Sequence, residues 1–174
     1  FPMEAIFGAH NWPGMKVGQF AVCDGPCFAS SNEFRITIRG KGSHAAMPHL
    51  GIDPVPVACQ MVQAFQTIVT RNKRPIDTAV ISVTMIHAGE ATNVVPDFCE
   101  IQGTVRTFTT EVLDLVERRM EEISRHTCAA AEAVCEFEFH RRAPAVVNHR
   151  REAEFAAGVI AGIATHAGSM VTQV

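Results

Sequence analysis

Phe34, Ile36 and Ile38 alternate with Arg35, Thr37 and Arg39, and a period of two predicts a half-buried strand. Asp53-Pro54 opens a helix, Asp53 as the cap and Pro54 at the first helical position. Along it Val55, Cys59, Val62 and Val69 form one apolar stripe, widened by Ala58, Met61, Phe65 and Ile68. So broad a stripe covers more than a sheet and suggests a subunit contact. A second strand is expected over Thr78–Ala88, with Ala79, Ile81, Val83 and Met85 on one face. A third is expected where Cys99, Ile101, Gly103 and Val105 alternate with polar residues. Thr109 or Thr110 caps a second helix with Val112, Leu113, Val116, Met120 and Ile123 on its buried side. Asp114–Arg118 and Glu121–Arg125 are spaced as i,i+4 ion pairs. Cys135, Phe137 and Phe139 alternate with glutamates in a fourth strand.

The order strand, helix, strand, strand, helix, strand predicts an α+β, ferredoxin-like two-layer sandwich, a four-stranded antiparallel sheet with both helices on one face. The flanks differ. A strand at Ala5–Phe7 runs toward His10 and Trp12, and Gly18–Ser31 reads as a linker. Glu152–Thr165 reads as a small-residue helix with no sheet of its own to cover, followed by a departing tail.

Composition narrows the partners. The chain has 174 residues, 47% of them hydrophobic, and a net charge of −3. Neither nucleic acid nor an anionic membrane is an electrostatic default, and no run reaches the ~18–20 apolar residues of a membrane helix. Phe1-Pro-Met-Glu carries no basic region before an apolar core, so no signal peptide is expected. The start without Met suggests a piece of a longer chain. Six scattered cysteines without a Cys-x-x-Cys pair read as reduced, mostly buried thiols of a cytoplasmic protein.

The loop Gly40-Lys-Gly-Ser-His-Ala-Ala-Met-Pro-His49 is flexible, polar and titratable, and rigid elements flank it. With it come Phe7-Gly-Ala-His-Asn-Trp-Pro-Gly14, Ala91-Thr-Asn-Val-Val-Pro96 and Gly103-Thr-Val-Arg-Thr-Phe108. In this order the motifs closely resemble metal-dependent amidohydrolases of the hippurate hydrolase, N-acyl-amino-acid amidohydrolase and indoleacetyl-amino-acid hydrolase type. The wider superfamily holds the aminoacylases and carboxypeptidase G.

The resemblance implies a lid and dimerisation domain over 30–142. It also implies the end of a first catalytic α/β segment over 1–29 and the start of a second over 143–174. It implies that His10 ligates a divalent metal (zinc, manganese, cobalt or nickel), and that His44 reaches an active site, often the partner subunit's, to polarise the scissile carbonyl. Asn93 and Arg106 are implied to hold the substrate carboxylate, and His49 to be supporting structure. The family's Cys-Gly-His-Asp-like segment, its Glu-Glu pair and its late His have no match here. The chain by itself is therefore expected to lack most of the metal site and to be inactive. The alternative is a stand-alone dimerisation or small-ligand-binding module without catalysis.

Overall fold

A computed structural model describes residues 2–167 and 170–173, with side chains as far as Ile163. In chain order the elements are β1 (Gln19–Val22), β2 (Gly25–Phe28), β3 (Ser31–Arg39), β4 (Ser43–His44), α1 (Pro54–Thr67), β5 (Ala79–Ala88) and β6 (Val94–Val95). Then follow β7 (Phe98–Thr107), α2 (Thr110–Ala130), β8 (Val134–Ala143), β9 (Val146–Asn148), α3 (Arg150–Ala167) and β10 (Met170–Gln173). The chain divides into two compact units, Ala29–Ala145 and the flanks Phe1–Phe28 with Val146–Val174.

The larger unit is the ferredoxin-like sandwich. Its sheet runs β5-β7-β3-β8, all neighbours antiparallel. Ladder partners share a face, so the register sets the core. Ile36 lies between Ile101 and Phe137, and Ile38 between Cys99 and Cys135. Phe34 lies between Gly103 and Phe139. A Cβ on Gly103 would stand 2.6 Å from the Phe34 ring and 2.0 Å from the Ser82 carbonyl oxygen. The glycine is what lets that ring cross the sheet there. From the helices come Val57, Ala58, Met61 and Phe65 of α1 and Val116, Met120 and Cys128 of α2.

Both caps form as the sequence predicts. Asp53 accepts the Val55 N–H and Thr109 the Val112 N–H, satisfying amides left open in a first turn. The core face of α1 is rotated from expectation. Pro54, Val57, Ala58, Met61 and Phe65 are buried, whereas Val55 is 38% exposed and Cys59 lies on the surface. The helix is apolar on more than half its circumference, and only the sheet selects the face that packs.

In β5 an extra residue, Thr84, bulges between Val83 and Met85. The expected common face of Ala79, Ile81, Val83 and Met85 therefore breaks at Met85, which pairs with Gln102. Of the two expected ion pairs on α2, Glu121–Arg125 forms at 2.7 Å. Asp114 instead bonds Arg141 of β8, and Arg118 bonds Glu122. Only Cys99 and Cys128 are fully buried among the cysteines, fewer than expected.

The flanking unit corrects three expectations. Ala5–Phe7 is not a strand, and Ile6 and Phe7 are exposed; a strand needs a ladder partner, and none among the described residues pairs with it. Gly18–Ser31 is no plain linker, since β1 and β2 lie in it. β2 pairs antiparallel with β9, and β1 pairs parallel with β10. The region after α3 is thus a strand, and α3 packs against β1 and β10. Ala153 of α3 is buried, while Phe155 and Ile163 are 63% and 65% exposed.

Candidate functional site

The loop after β3 is built by close approaches that only glycine permits. Lys41 and Ile52 exchange backbone hydrogen bonds of 2.9 Å each way and close the loop into a ring. A Cβ on Gly40 would lie 2.1 Å from the Ile52 carbonyl oxygen, and one on Gly51 would lie 2.5 Å from that of Lys41. Asp97 clamps the base. Its carbonyl accepts the Gly40 N–H at 2.8 Å and its Oδ1 accepts the Gly42 N–H at 2.8 Å. Sequence reasoning missed Asp97, and the signal was available: an acid directly after the Asn93–Pro96 motif, beside a glycine-rich loop.

The ring carries β4, which pairs with β6, so that Ser43 faces Val95 and His44 faces Val94. The Ala45 N–H donates to the Asn93 carbonyl at 3.0 Å. His44 and Asn93, 49 residues apart in sequence, thus share one short ladder. Both are exposed. Around them Met47, Leu50, Val94 and Phe98 present apolar surface, each between 44% and 55% exposed.

The His44 ring is held in one tautomer. Its Nδ1 accepts the Ala46 backbone N–H at 3.0 Å. A backbone amide can only donate, so in the neutral ring the proton sits on Nε2. The outward nitrogen is therefore a hydrogen-bond donor. His49 lies in the adjacent Pro48–Leu50 turn and is exposed.

Arg106 is elsewhere. It stands at the far end of β7 from Phe98, eight residues on, or roughly 27 Å of strand. Its side chain is exposed and one Nη1–H reaches the Ser30 carbonyl at 3.3 Å. Ser30, Asn32 and Thr107 form a buried hydrogen-bonded group there. The structure brings His44 and Asn93 together and keeps Arg106 apart from both.

His10 belongs to the flanking unit. It is exposed, with its ring 5.9 Å from that of Phe28 and 6.2 Å from that of Trp12. Its Nδ1 is bonded to the Asn11 carbonyl oxygen. A carbonyl can only accept, so this ring is protonated on Nδ1 and presents the Nε2 lone pair. His10 is thus in a ligand's tautomer and His44 in a donor's. One imidazole is not a metal site, however, which takes several protein ligands. Among the described residues no three His, Cys, Asp or Glu side chains group to hold an ion, so they do not by themselves fit a metal centre.

Residues 30–132 match the M20 peptidase dimerisation domain. The chain belongs to that family. It is 40% identical over 146 residues to an N-acetylcysteine deacetylase of Bacillus subtilis, covering 84% of this chain and 38% of the relative. It is 41% identical over 137 residues to an N-acetyldiaminopimelate deacetylase of Listeria innocua, covering 79% of this chain and 36% of the relative. Among solved structures it resembles a Bacillus subtilis protein described as a dinuclear metal binding peptidase from the M20 family. That likeness has a TM-score of 0.69 and 31% identity over 95% of this chain and 39% of the other. The chain therefore spans well under half the length of these relatives, which are amide hydrolases. No helix among the described residues is long and apolar enough to cross a membrane.

Proposed function

We propose that these 174 residues are the lid, with flanking catalytic segments, of a dimeric metal-dependent amidohydrolase that releases the acyl group of an N-acyl amino acid. The observation that carries this reading is the His44 donor held on a glycine-built ring inside a dimerisation domain. The relatives' names favour N-acetyl substrates. N-aroyl amino acids such as hippurate are the second substrate class we assign. His10 supplies one ligand, and the remaining ligands lie outside this chain. The bound metal (zinc, manganese, cobalt or nickel) would activate water for attack.

His44 Nε2–H then donates to the carbonyl oxygen of the scissile amide. That bond strengthens as the oxygen gains charge, which is how a preorganised donor lowers a barrier. Asn93 holds the substrate carboxylate from the same ladder. Arg106 offers the planar fork that matches a carboxylate. Because it lies at the other end of the sheet, it serves the site to which a second subunit brings His44 and Asn93.

The two sheet edges differ in the way such pairing requires. β8 carries Glu136, Glu138, Arg141 and Arg142, whereas β5 has no Asp, Glu, Lys or Arg in its ten residues. An uncharged edge is open to strand addition, and a charged one resists it. α1 packs beside β5 and leaves Val55 and Cys59 exposed, and Ile86 of β5 itself is 52% exposed. We assign this face to the homodimer and the cytoplasm to the protein.

The test is hydrolysis of N-acetyl and N-benzoyl amino acids by the full-length protein, with each of the four metals, beside the 174-residue chain. Activity in the first and none in the second supports the proposal. A full-length protein inert toward both substrate classes sinks it. That outcome would favour the alternative reading, a dimerisation or ligand-binding module without catalysis.

A further inference from the structure

The larger unit holds a thiol pair that the hydrolytic reading does not use. Cys128 is in the last turns of α2, 1% exposed and part of the core. Three residues turn the chain into β8, whose second residue is Cys135. The turn is tight. The Cys128 carbonyl accepts the N–H of Ala131 at 3.0 Å and that of Ala133 at 2.9 Å. Glu132 sits in the left-handed region at φ 60°, a conformation few residues other than glycine and asparagine adopt. The reversal turns Cys135 back toward the helix. It is half-buried against the same core as Cys128, close enough for each thiol to act on the other's charge.

We infer that Cys128 and Cys135 form a thiol–disulfide modification site whose co-substrate is a peroxide. Cys135 is the attacking sulfur. It is the more accessible of the two. The neighbouring Cys128 thiol first, and the Arg125 guanidinium next, hold its thiol below the usual range, against its partial burial and the carboxylates of Glu121 and Glu136. Cys128, beside that sulfur and buried, is held far above. A thiolate beside a protonated thiol is the arrangement in which one sulfur attacks and the other resolves.

The steps balance. The Cys135 thiolate attacks one peroxide oxygen, a sulfur–oxygen bond forms, the oxygen–oxygen bond breaks, and the leaving hydroxide takes up a proton as water. Cys128 sulfur then attacks the sulfenic sulfur, the sulfur–oxygen bond breaks, and that oxygen leaves as a second water with the Cys128 proton. The thiol pair loses two electrons and the peroxide gains them. The product ties the end of α2 to the start of β8. Ile38, the ladder partner of Cys135, stands two residues before Gly40 and the His44 ring.

The experiment treats the purified protein with hydrogen peroxide, alkylates the remaining thiols and maps the peptides by mass. A parallel sample of free cysteine, treated with the same peroxide, is the control for oxidant exposure. Expected is a cross-linked Cys128–Cys135 species lighter by two hydrogens, restored by a dithiol reductant and lost in Cys135→Ser, where Cys128 stays alkylatable. Two results overturn the inference. In one, the parallel cysteine is oxidised while Cys128 and Cys135 both remain thiols. In the other, Cys135 advances to sulfinic acid with Cys128 untouched. Should Cys135→Ser fail to fold, the map of the unsubstituted protein decides alone.

Discussion

The Ala46 backbone N–H points at Nδ1 of His44 from 3.0 Å. Two residues of separation are enough to choose which nitrogen of the ring faces outward as a donor. The donor is aimed by the loop itself and needs no distant side chain. His44→Ala in the full-length enzyme should lower kcat by about 100-fold, the usual cost of removing one such donor. KM should change little. Steady-state kinetics check this, and an unchanged kcat would remove His44 from the chemistry.

Gly103 carries the Phe34 ring, and its missing Cβ would meet the Ser82 carbonyl oxygen at 2.0 Å. Backbone on that side cannot move aside as a flexible side chain would. Gly103→Ala should destabilise the larger unit by about 3 kcal/mol, the upper end of what overpacking costs. Urea unfolding followed by circular dichroism measures it. A loss below about 1 kcal/mol would show that the bulge at Thr84 relaxes.

Charge placed on the bare edge should act on assembly and not on folding. Ile86→Lys with Val55→Arg should turn a sedimenting dimer into a monomer with an unchanged circular dichroism spectrum. Glu138→Lys on β8 should leave the dimer intact. The reverse result would move the interface to the other edge.

The surface of the larger unit predicts an acid limb to its stability. The Arg74 guanidinium holds the Asp77 carboxyl below its usual range; Arg119 and then Arg118 do so for Glu122, and Arg39 does so for Glu136, each foremost through a hydrogen bond. A carboxylate lowered by folding adds stability above its unfolded pKa, and that contribution is lost as pH falls through the folded one. Denaturant midpoints should hold down to about pH 4.5 and fall below it. Glu122→Gln with Glu136→Gln should flatten the fall. Because the Glu122 and Glu136 carboxylates lie at the surface, molar salt should flatten it too.

What could be read in the sequence was local. Alternation in Phe34–Arg39 and Cys135–Phe139 and the caps at Asp53 and Thr109 each depend on neighbours a few residues away, and all appear in the structure. What could not be read was set at a distance. Asp114 bonds Arg141, 27 residues on, because β8 passes alongside α2. β1 and β2 are short and weakly patterned, and exist by pairing with β10 and β9 more than a hundred residues later. The candidate site divides the same way. The Gly40–His49 loop was visible, but the Asp97 clamp and the Arg106 separation exist only once the sheet register is set.

That separation reaches beyond one molecule. If each site draws Arg106 from one chain and His44 from the other, two dead alleles can rescue each other. A His44→Ala chain mixed with an Arg106→Ala chain would give heterodimers with one whole site and one doubly broken site. Random reassociation should then recover about a quarter of the normal activity, since half the dimers are mixed and half their sites intact. Neither variant alone should exceed its own residue of activity, and a strict sum on mixing would confine each site to one chain. A gene of this kind would show interallelic complementation, and in a cell carrying both alleles the loss would be partial where each alone is null.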